Sequence, residues 1–446
     1  MSAPPERIAR NPRIVVAIVA ATLAFLFKLY LALYTQGTLD AAAFADHLAK
    51  IEQFGGVGVY RVSGAFNNPF NSPPFIVHFL KALGWLTGAT GLPFAFWLRL
   101  PCVLADAASF FLVWKLLERS PAPHRNALAP RRNASMPHRD ALAPRERDVS
   151  WLLIAFALSP VSIIISGFHG NTDPVMIFFV LLSAYLLETQ EGALCVRLAA
   201  IAFGLALNFK VAPLIFAPAL WFYLPGMRRR IEYFGLAALV FLCGSLPYLL
   251  SDPVLIARSV FGYASIYGHW GWTLLAATWF PESLRFARPP HDVVGAHAVA
   301  AAIGKWLMLA SIVAAALWAN RRRDKPPLAL QLGLAAAIFL FLTPGFGAQY
   351  LFWLTPWVIF LGLRASILYY VVGGLYLFVS YSCYIYRAAP PFYCVESLTW
   401  LLAPLCWASV LVMLICYARL LRRGDRSASH VTRHALPRYN ARDETG

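Results

Sequence analysis

Long apolar runs separated by short polar breaks dominate this chain, and that pattern predicts membrane-spanning helices. A run of roughly 20 apolar residues crosses the hydrocarbon core as a helix. Residues 14–34 form the first such run, and others follow at 93–117, 150–167, 174–188, 195–209, 211–225, 231–250, 296–319, 327–343, 349–363, 366–386 and 397–420. Together they predict an all-α membrane protein of about twelve spans. The stretch 75–90 is different: it is short, follows Pro73-Pro74 and holds His78 and Lys81. Counting it as a span would turn the loop at 118–149, with Arg119, Arg125, Arg131, Arg132, Arg139, Arg145 and Arg147, to the outer side. Basic loops belong on the cytoplasmic side. We therefore read 75–90 as an interfacial or re-entrant helix within a first outer loop, 35–92. Two of the spans' junctions are broken, at 167–174 and 208–213. Irregular backbone at membrane depth survives only where it is buried in protein or lines a cavity, so these breaks mark the edges of a site.

Composition agrees with this reading. Of the 446 residues, 59% are hydrophobic and only 13% charged, against about 25% charged in soluble proteins. The net charge of +17 does not point to nucleic acid. Its blocks, Arg228 to Arg230 and Arg321 to Arg323 with Lys325, punctuate the apolar runs as cytoplasmic loops do. Arg7, Arg10 and Arg13 place the N-terminus inside, and the basic tail at 421–446 falls inside too. The 14–34 run is too long for a signal-peptide h-region and has no small-residue cleavage site, so it is read as a span. The loop at 118–149 repeats Pro123-His-Arg-Asn-Ala-Leu-Ala-Pro-Arg as Pro137-His-Arg-Asp-Ala-Leu-Ala-Pro-Arg. Such a composition builds no packed core, and a disordered cytoplasmic insertion is expected. The whole chain, 1–446, then reads as one polytopic domain. Its Ala, Arg and Pro bias suggests a bacterial inner membrane with the outer face in the periplasm, or the endoplasmic reticulum membrane in a eukaryote.

Charges are scarce on the outer side, so each is informative. The first outer loop offers Asp40 and Asp46, then Tyr60-Arg61 and a proline-rich aromatic run to Pro74. A carboxylate just outside a membrane helix can act as a general base toward a hydroxyl. The plain alternative is that Asp40 caps a short helix over 41–54, with Asp46 on its solvated face. The second outer turn holds His169, Asn171, Asp173 and Pro174. Asp173-Pro174 is explained as a helix cap with proline at the first helical position, whereas His169 and Asn171 have no such structural reason. Lys210 and Arg387, at outer ends of spans, either snorkel to headgroups or neutralise a substrate phosphate. His269 lies among aromatic residues of the long outer loop, which by default form an interfacial belt, and Gln349-Tyr350 opens a later span. No P-loop, zinc spacing, serine elbow or dinucleotide fingerprint is present.

In order along the chain, these residues resemble the GT-C superfamily of polytopic glycosyltransferases, and within it the catalytic subunit of GPI mannosyltransferase I and its bacterial relatives. The stretch Thr38-Leu-Asp40 through Phe44 and Asp46 is similar to that family's Asp-x-Asp motif with its following Phe and Asp. Tyr60-Arg61 with Ser72-Pro73-Pro74, Asn208-Phe-Lys210 through Pro213 and Pro218, and Gln349-Tyr350 through Trp353 and Pro356 are similar to three further family segments. Arg99 with Asp106 in the second span also fits the pattern. The resemblance implies a lipid-phosphate-linked sugar donor, a lipid or glycan acceptor, and a direct inverting displacement. It implies Asp40 as the base with Asp46 second, Lys210 and Arg387 at the donor phosphate, and Tyr60, Arg61, His169, Asn171, Asp173, His269, Gln349 and Tyr350 about the substrate. Thr38 stands where the motif has its first Asp. One fewer carboxylate is then left to hold a divalent metal, so no cofactor is assigned and mannose specificity stays open. A transporter or flippase of lipid-linked saccharides is the alternative, but the internal repeats expected of one are not seen. Another lipid-modifying transfer chemistry would not explain the contexts of Asp40–Asp46 and Gln349-Tyr350.

Overall fold

The computed structural model describes residues 12–62, 69–119, 143–189, 192–262, 265–279, 296–322, 325–385 and 396–434. Its helices are α1 (Pro12–Tyr34), α2 (Leu39–Gly58), α3 (Phe75–Thr90), α4 (Phe94–Arg119) and α5 (Ala143–Ala157). A π-helix, Ile163–His169, then leads to α6 (Asp173–Thr189), α7 (Ala193–Phe209) and, after a 3₁₀ turn at Ala212–Phe216, α8 (Ala217–Tyr223). The second half holds α9 (Met227–Ser251), α10 (Pro253–Phe261), α11 (Gly271–Trp279), α12 (Ala296–Asn320), α13 (Leu328–Leu342), α14 (Leu351–Val358), α15 (Leu363–Ile385) and α16 (Glu396–His434). Among the described residues the strands are limited to one short antiparallel pair, Ile266–Tyr267 against Gly345–Phe346. The all-α membrane architecture expected from the pattern is borne out.

Seven described helices are long and apolar enough to cross a membrane by length and composition: Pro12–Tyr34, Phe94–Arg119, Val149–His169, Met227–Ser251, Ala298–Asn320, Leu363–Ser382 and Leu398–Arg422. Shorter apolar helices fill the places of other expected spans, at Ala193–Phe209, Ala212–Tyr223, Leu328–Leu342 and Ala348–Leu361. The long helices α9 and α12 expose Leu239, Leu242, Leu246 and Leu250, and Val299, Ile303, Trp306 and Leu307, the surface a lipid-facing helix presents. By contrast α13 is apolar but for Gln331, and is buried from Leu328 to Leu340. Its 15 residues rise about 22 Å, short of the roughly 30 Å hydrocarbon core. Helices that end early inside the bundle leave room for a cleft, and Lys210 and Thr343 stand immediately beyond the ends of α7 and α13.

Two buried polar clusters fix the helices that carry the site. Lys28 of α1 is ion-paired with Asp106 of α4. Lys28 Nζ also donates to Ser162 Oγ at 2.8 Å, and that hydroxyl donates to Asp106 at 2.9 Å. Arg99, only 1% exposed, donates to the Thr35 carbonyl at 2.5 Å, the Thr35 hydroxyl at 2.7 Å and the Ala95 carbonyl at 2.8 Å. Ionised groups in a low-dielectric interior persist only when their charge is answered: Lys28 and Asp106 pair with each other, and Arg99 is held by carbonyl and hydroxyl oxygens. The π-helix lies against α1 at Gly167, where a Cβ would come within 2.9 Å of the Lys28 Cα. Glycine is what permits that contact.

Two boundaries differ from expectation. Helix α5 begins at Ala143, inside the 118–149 stretch read as disordered, because Arg145 to Trp151 continue the helix of the span that follows. Residues 120–142 lie outside the described residues, and with them the direct repeat apart from its last three residues, Ala143 to Arg145. Helix α16 continues to His434, well past the expected span end at 420.

Candidate active site

The site is built where the α1–α2 connection meets the turn between the π-helix and α6. Thr38 is the N-cap of α2: its hydroxyl accepts from the Asp40 backbone N–H at 3.3 Å. This corrects the expectation that Asp40 caps the helix. Asp40 instead sits in the first turn with its carboxylate free for tertiary partners. The Thr38 hydroxyl donates to the His169 carbonyl at 2.6 Å and lies 3.1 Å from His169 Nδ1. With its one proton used on the carbonyl, the hydroxyl can only accept from Nδ1, which fixes that nitrogen as the donor. Gly170, at φ +85, turns the chain where a Cβ would lie 2.9 Å from the Ala41 Cβ. That close approach brings Asn171 onto Asp40.

Asp40 Oδ2 accepts from Asn171 Nδ2 at 2.7 Å and lies 3.3 Å from His169 Nε2. The Asn171 amide is itself oriented, its Oδ1 accepting from the Thr172 N–H at 2.7 Å. Burial pushes the Asp40 carboxyl up, but the His169 charge and hydrogen bond, the Asn171 amide and the Lys210 charge outweigh it and hold the group at about 2. It is therefore ionised throughout the physiological range. His169 is buried and stacked face to face on Tyr381, with centroids 5.2 Å apart. Of the two, Asp40 is the group turned toward solvent, its side chain 35% exposed against 4% for His169.

Across from it, Lys210 Nζ donates to Asp173 Oδ2 at 2.7 Å and Trp353 Nε1 donates to Asp173 Oδ1 at 2.6 Å. Asp173 is fully buried. The carboxylate read as a helix cap is thus spent on holding a lysine and a tryptophan from distant segments.

These groups border a cavity of about 940 Å³. Its lining includes the expected Asp40, His169, Asn171, Lys210, His269, Gln349 and Tyr350. Burial pushes the His269 imidazole down, and its ring stacks on Trp400 at 6.2 Å. Other expected residues lie elsewhere. Asp46 is paired with Lys50 at 2.8 Å and does not line the cavity. Tyr60 is buried and donates to the Ser72 carbonyl at 2.8 Å, fixing the proline-rich run. Arg61 pairs with Asp252 at 2.9 Å on the surface, and Arg387 lies outside the described residues.

The cavity also takes in residues that the sequence reading passed over: His47, Arg258, Tyr381 and Trp400. His47 was within reach, because on a helix it shares a face with Asp40 seven positions earlier. Tyr381, inside an apolar span, carries no such signal. A divalent ion does not fit this donor set. The Thr38 hydroxyl is committed to His169, and no group of three His, Cys, Asp or Glu among the described residues could hold one.

Fold and site together define a polytopic, all-α membrane protein with a cleft that presents one carboxylate and a tethered lysine. Residues 165–282 match the family model described as "Mannosyltransferase (PIG-M)". That segment carries His169, Asn171, Asp173, Lys210 and His269. The match bears out the resemblance to GT-C membrane glycosyltransferases and, with it, the expectation of a glycosyltransferase enzyme. No curated protein matches the chain. Among solved structures, ArnT from Cupriavidus metallidurans bound to undecaprenyl phosphate aligns with 93% of this chain and 78% of its own length, at 14% identity and a TM-score of 0.47.

Proposed function

We propose that this chain transfers a sugar, a mannose-like hexose, from a polyprenyl-phosphate-linked donor to a lipid or glycan acceptor on the periplasmic or lumenal face. The observation that carries the reading is Asp40, the sole acid among the described residues lining a cavity that also presents Lys210. In this scheme the acceptor hydroxyl attacks the anomeric carbon from the face opposite the leaving group. Asp40 takes the hydroxyl proton. The anomeric C–O bond breaks, its electron pair leaves with the lipid phosphate, and the configuration inverts. Cations supply the stabilisation that the developing phosphate charge needs; Lys210 is one, and we assign Arg387 as a second. Asp46, held by Lys50, is the weaker choice of base. Tyr60 and Arg61 shape the site through the outer loop, and Gln349, Tyr350 and His269 contact substrate. The matched mannosyltransferase family supports the sugar class, and the many apolar helices support a multi-pass protein.

The test is transfer of radiolabelled sugar from polyprenyl-phosphate-mannose in membrane vesicles that carry the endogenous acceptor. Asp40→Asn should lower the rate on the order of 10²–10⁴-fold while the protein stays folded. Full activity in that variant would move the base elsewhere. Other sugars on the same lipid would identify the preferred donor.

A further inference from the structure

His47 is a buried polar group without a task in the mechanism above. It is 5% exposed, borders the cavity, and its Nδ1 is buried with no partner among the described residues. Aromatic edges hold the ring in place of hydrogen bonds. Phe44 stands edge-on with centroids 6.3 Å away and Phe70 edge-on at 5.2 Å. Phe70 is braced in turn by Tyr60 at 4.8 Å. A buried polar atom without a partner costs stability, and native proteins keep few of them. A phenylalanine or leucine would fill this aromatic clamp without that cost. A residue that weakens the free protein in this way is expected where a ligand completes its bonding.

The chemistry of the missing partner follows from the ring. Burial drives the imidazole down to about 4, against the opposing pull of Asp46 and Asp40 and with the help of Lys50. It is therefore neutral near pH 7 and offers one donor and one acceptor. The unpartnered Nδ1 is a donor in one tautomer and an acceptor in the other, and a hydroxyl can meet it in either state, whereas a phosphate only accepts and an ammonium only donates. Position narrows it further. Asp40, Phe44 and His47 recur at i, i+4 and i+7, so they share one face of α2, and all three line the cavity. Seven residues rise about 10.5 Å. His47 thus stands too far along the helix to act on the hydroxyl that Asp40 deprotonates, yet faces the same space.

We infer that His47 is a sugar-hydroxyl subsite, reading a ring hydroxyl of donor or acceptor at a distance from the reacting bond. The inference rests on the transferase reading. The test compares the full-length wild type with His47→Phe and His47→Gln, using polyprenyl-phosphate-mannose and endogenous acceptor in vesicles. His47→Phe should lose roughly three- to ten-fold in kcat/KM, the worth of one neutral hydrogen bond, with its melting temperature unchanged or raised. His47→Gln, which keeps a donor and an acceptor, should recover part of that loss. Equilibrium binding of the donor alone separates the sources: weakened binding in His47→Phe places the hydroxyl on the donor sugar, and unchanged binding places it on the acceptor. Wild-type kcat/KM in His47→Phe overturns the inference. So does a loss of activity that comes with unfolding or a lower melting temperature. If the wild type itself transfers no sugar from any polyprenyl-phosphate donor, the transferase reading falls and takes this subsite with it.

Discussion

Replacing Asp173 by Asn separates the buried charge behind the cleft from its shape. The asparagine keeps the volume and one carbonyl oxygen for Trp353 Nε1, but it presents no negative charge to Lys210. A hydrogen bond to a charged group contributes about 1.5–3 kcal/mol. The Lys210 side chain is 21% exposed, whereas Asp173 is 0% exposed, so a lysine stranded by the change regains some hydration. The expected loss is about 2 kcal/mol, within the range for such bonds. The converse change, Lys210→Met, strands a carboxylate with no access to water, and breaking a buried pair from that side costs about 3–5 kcal/mol. The double variant should be less destabilised than the sum of the two by about 2 kcal/mol, within the coupling seen for contacting residues. Reversible unfolding of all four proteins in one detergent measures the cycle. Sugar transfer should fall further in Lys210→Met than in Asp173→Asn, because the latter keeps the cation. Additivity within about 0.5 kcal/mol, or Asp173→Asn proving the more damaging single change, would refute the argument that the buried carboxylate exists to hold this lysine.

The remaining expectations concern the carboxylate and the buried lock. Asp40 is lowered from 3.8 to about 2, so its contribution to stability is fully present above about pH 4 and is lost as the pH falls through 2. That lowering corresponds to roughly 2 kcal/mol at 1.36 kcal/mol per pH unit. With the side chain 35% exposed, solvent screening reduces it to about 1 kcal/mol. Acid titration of unfolding should therefore show Asp40→Asn losing less stability than wild type over that window, and parallel curves would contradict the assignment. Asp106→Asn leaves Lys28 as a buried cation between α1 and α4 and should cost about 3–5 kcal/mol, whereas the apolar pair Lys28→Met with Asp106→Leu should recover most of it. Thermal unfolding distinguishes the two, and a double variant as unstable as Asp106→Asn would show that the lock does more than neutralise charge.

Much of the fold was legible because the membrane imposes it. Apolar run length predicts the long spans, and the breaks at 167–174 and 208–213 are written in glycine, asparagine and proline. The π-helix at Ile163–His169 was not legible, since its residues read as ordinary apolar helix. It depends on the approach of Gly167 to the Lys28 backbone, a contact made across 139 positions of sequence. The same distinction governs the site. Sequence shows which outer residues are charged, but not which charge answers which. The alternative reading of Asp40 as a cap falls to Thr38, two residues earlier, which takes that role. Asp173 read as a cap because Pro174 follows it, while its actual partners lie 37 and 180 positions away. Asp46, the second choice of base, is held by Lys50. Neutralisation therefore does the selecting. Lys28 is answered by Asp106, Lys210 by Asp173, Lys50 by Asp46 and Arg61 by Asp252. Once those pairs with lysine and arginine are set aside, Asp40 is the acid left facing the cavity, held there by the amide of Asn171 and by the buried ring of His169, whose charge favours its ionised form. A carboxylate oriented by groups that leave one face open is poised to meet a substrate. One closed in an ion pair is poised to hold the fold. The geometry of Asp40 is of the first kind; the resemblance singled it out, but the partners that leave it open are visible only in three dimensions.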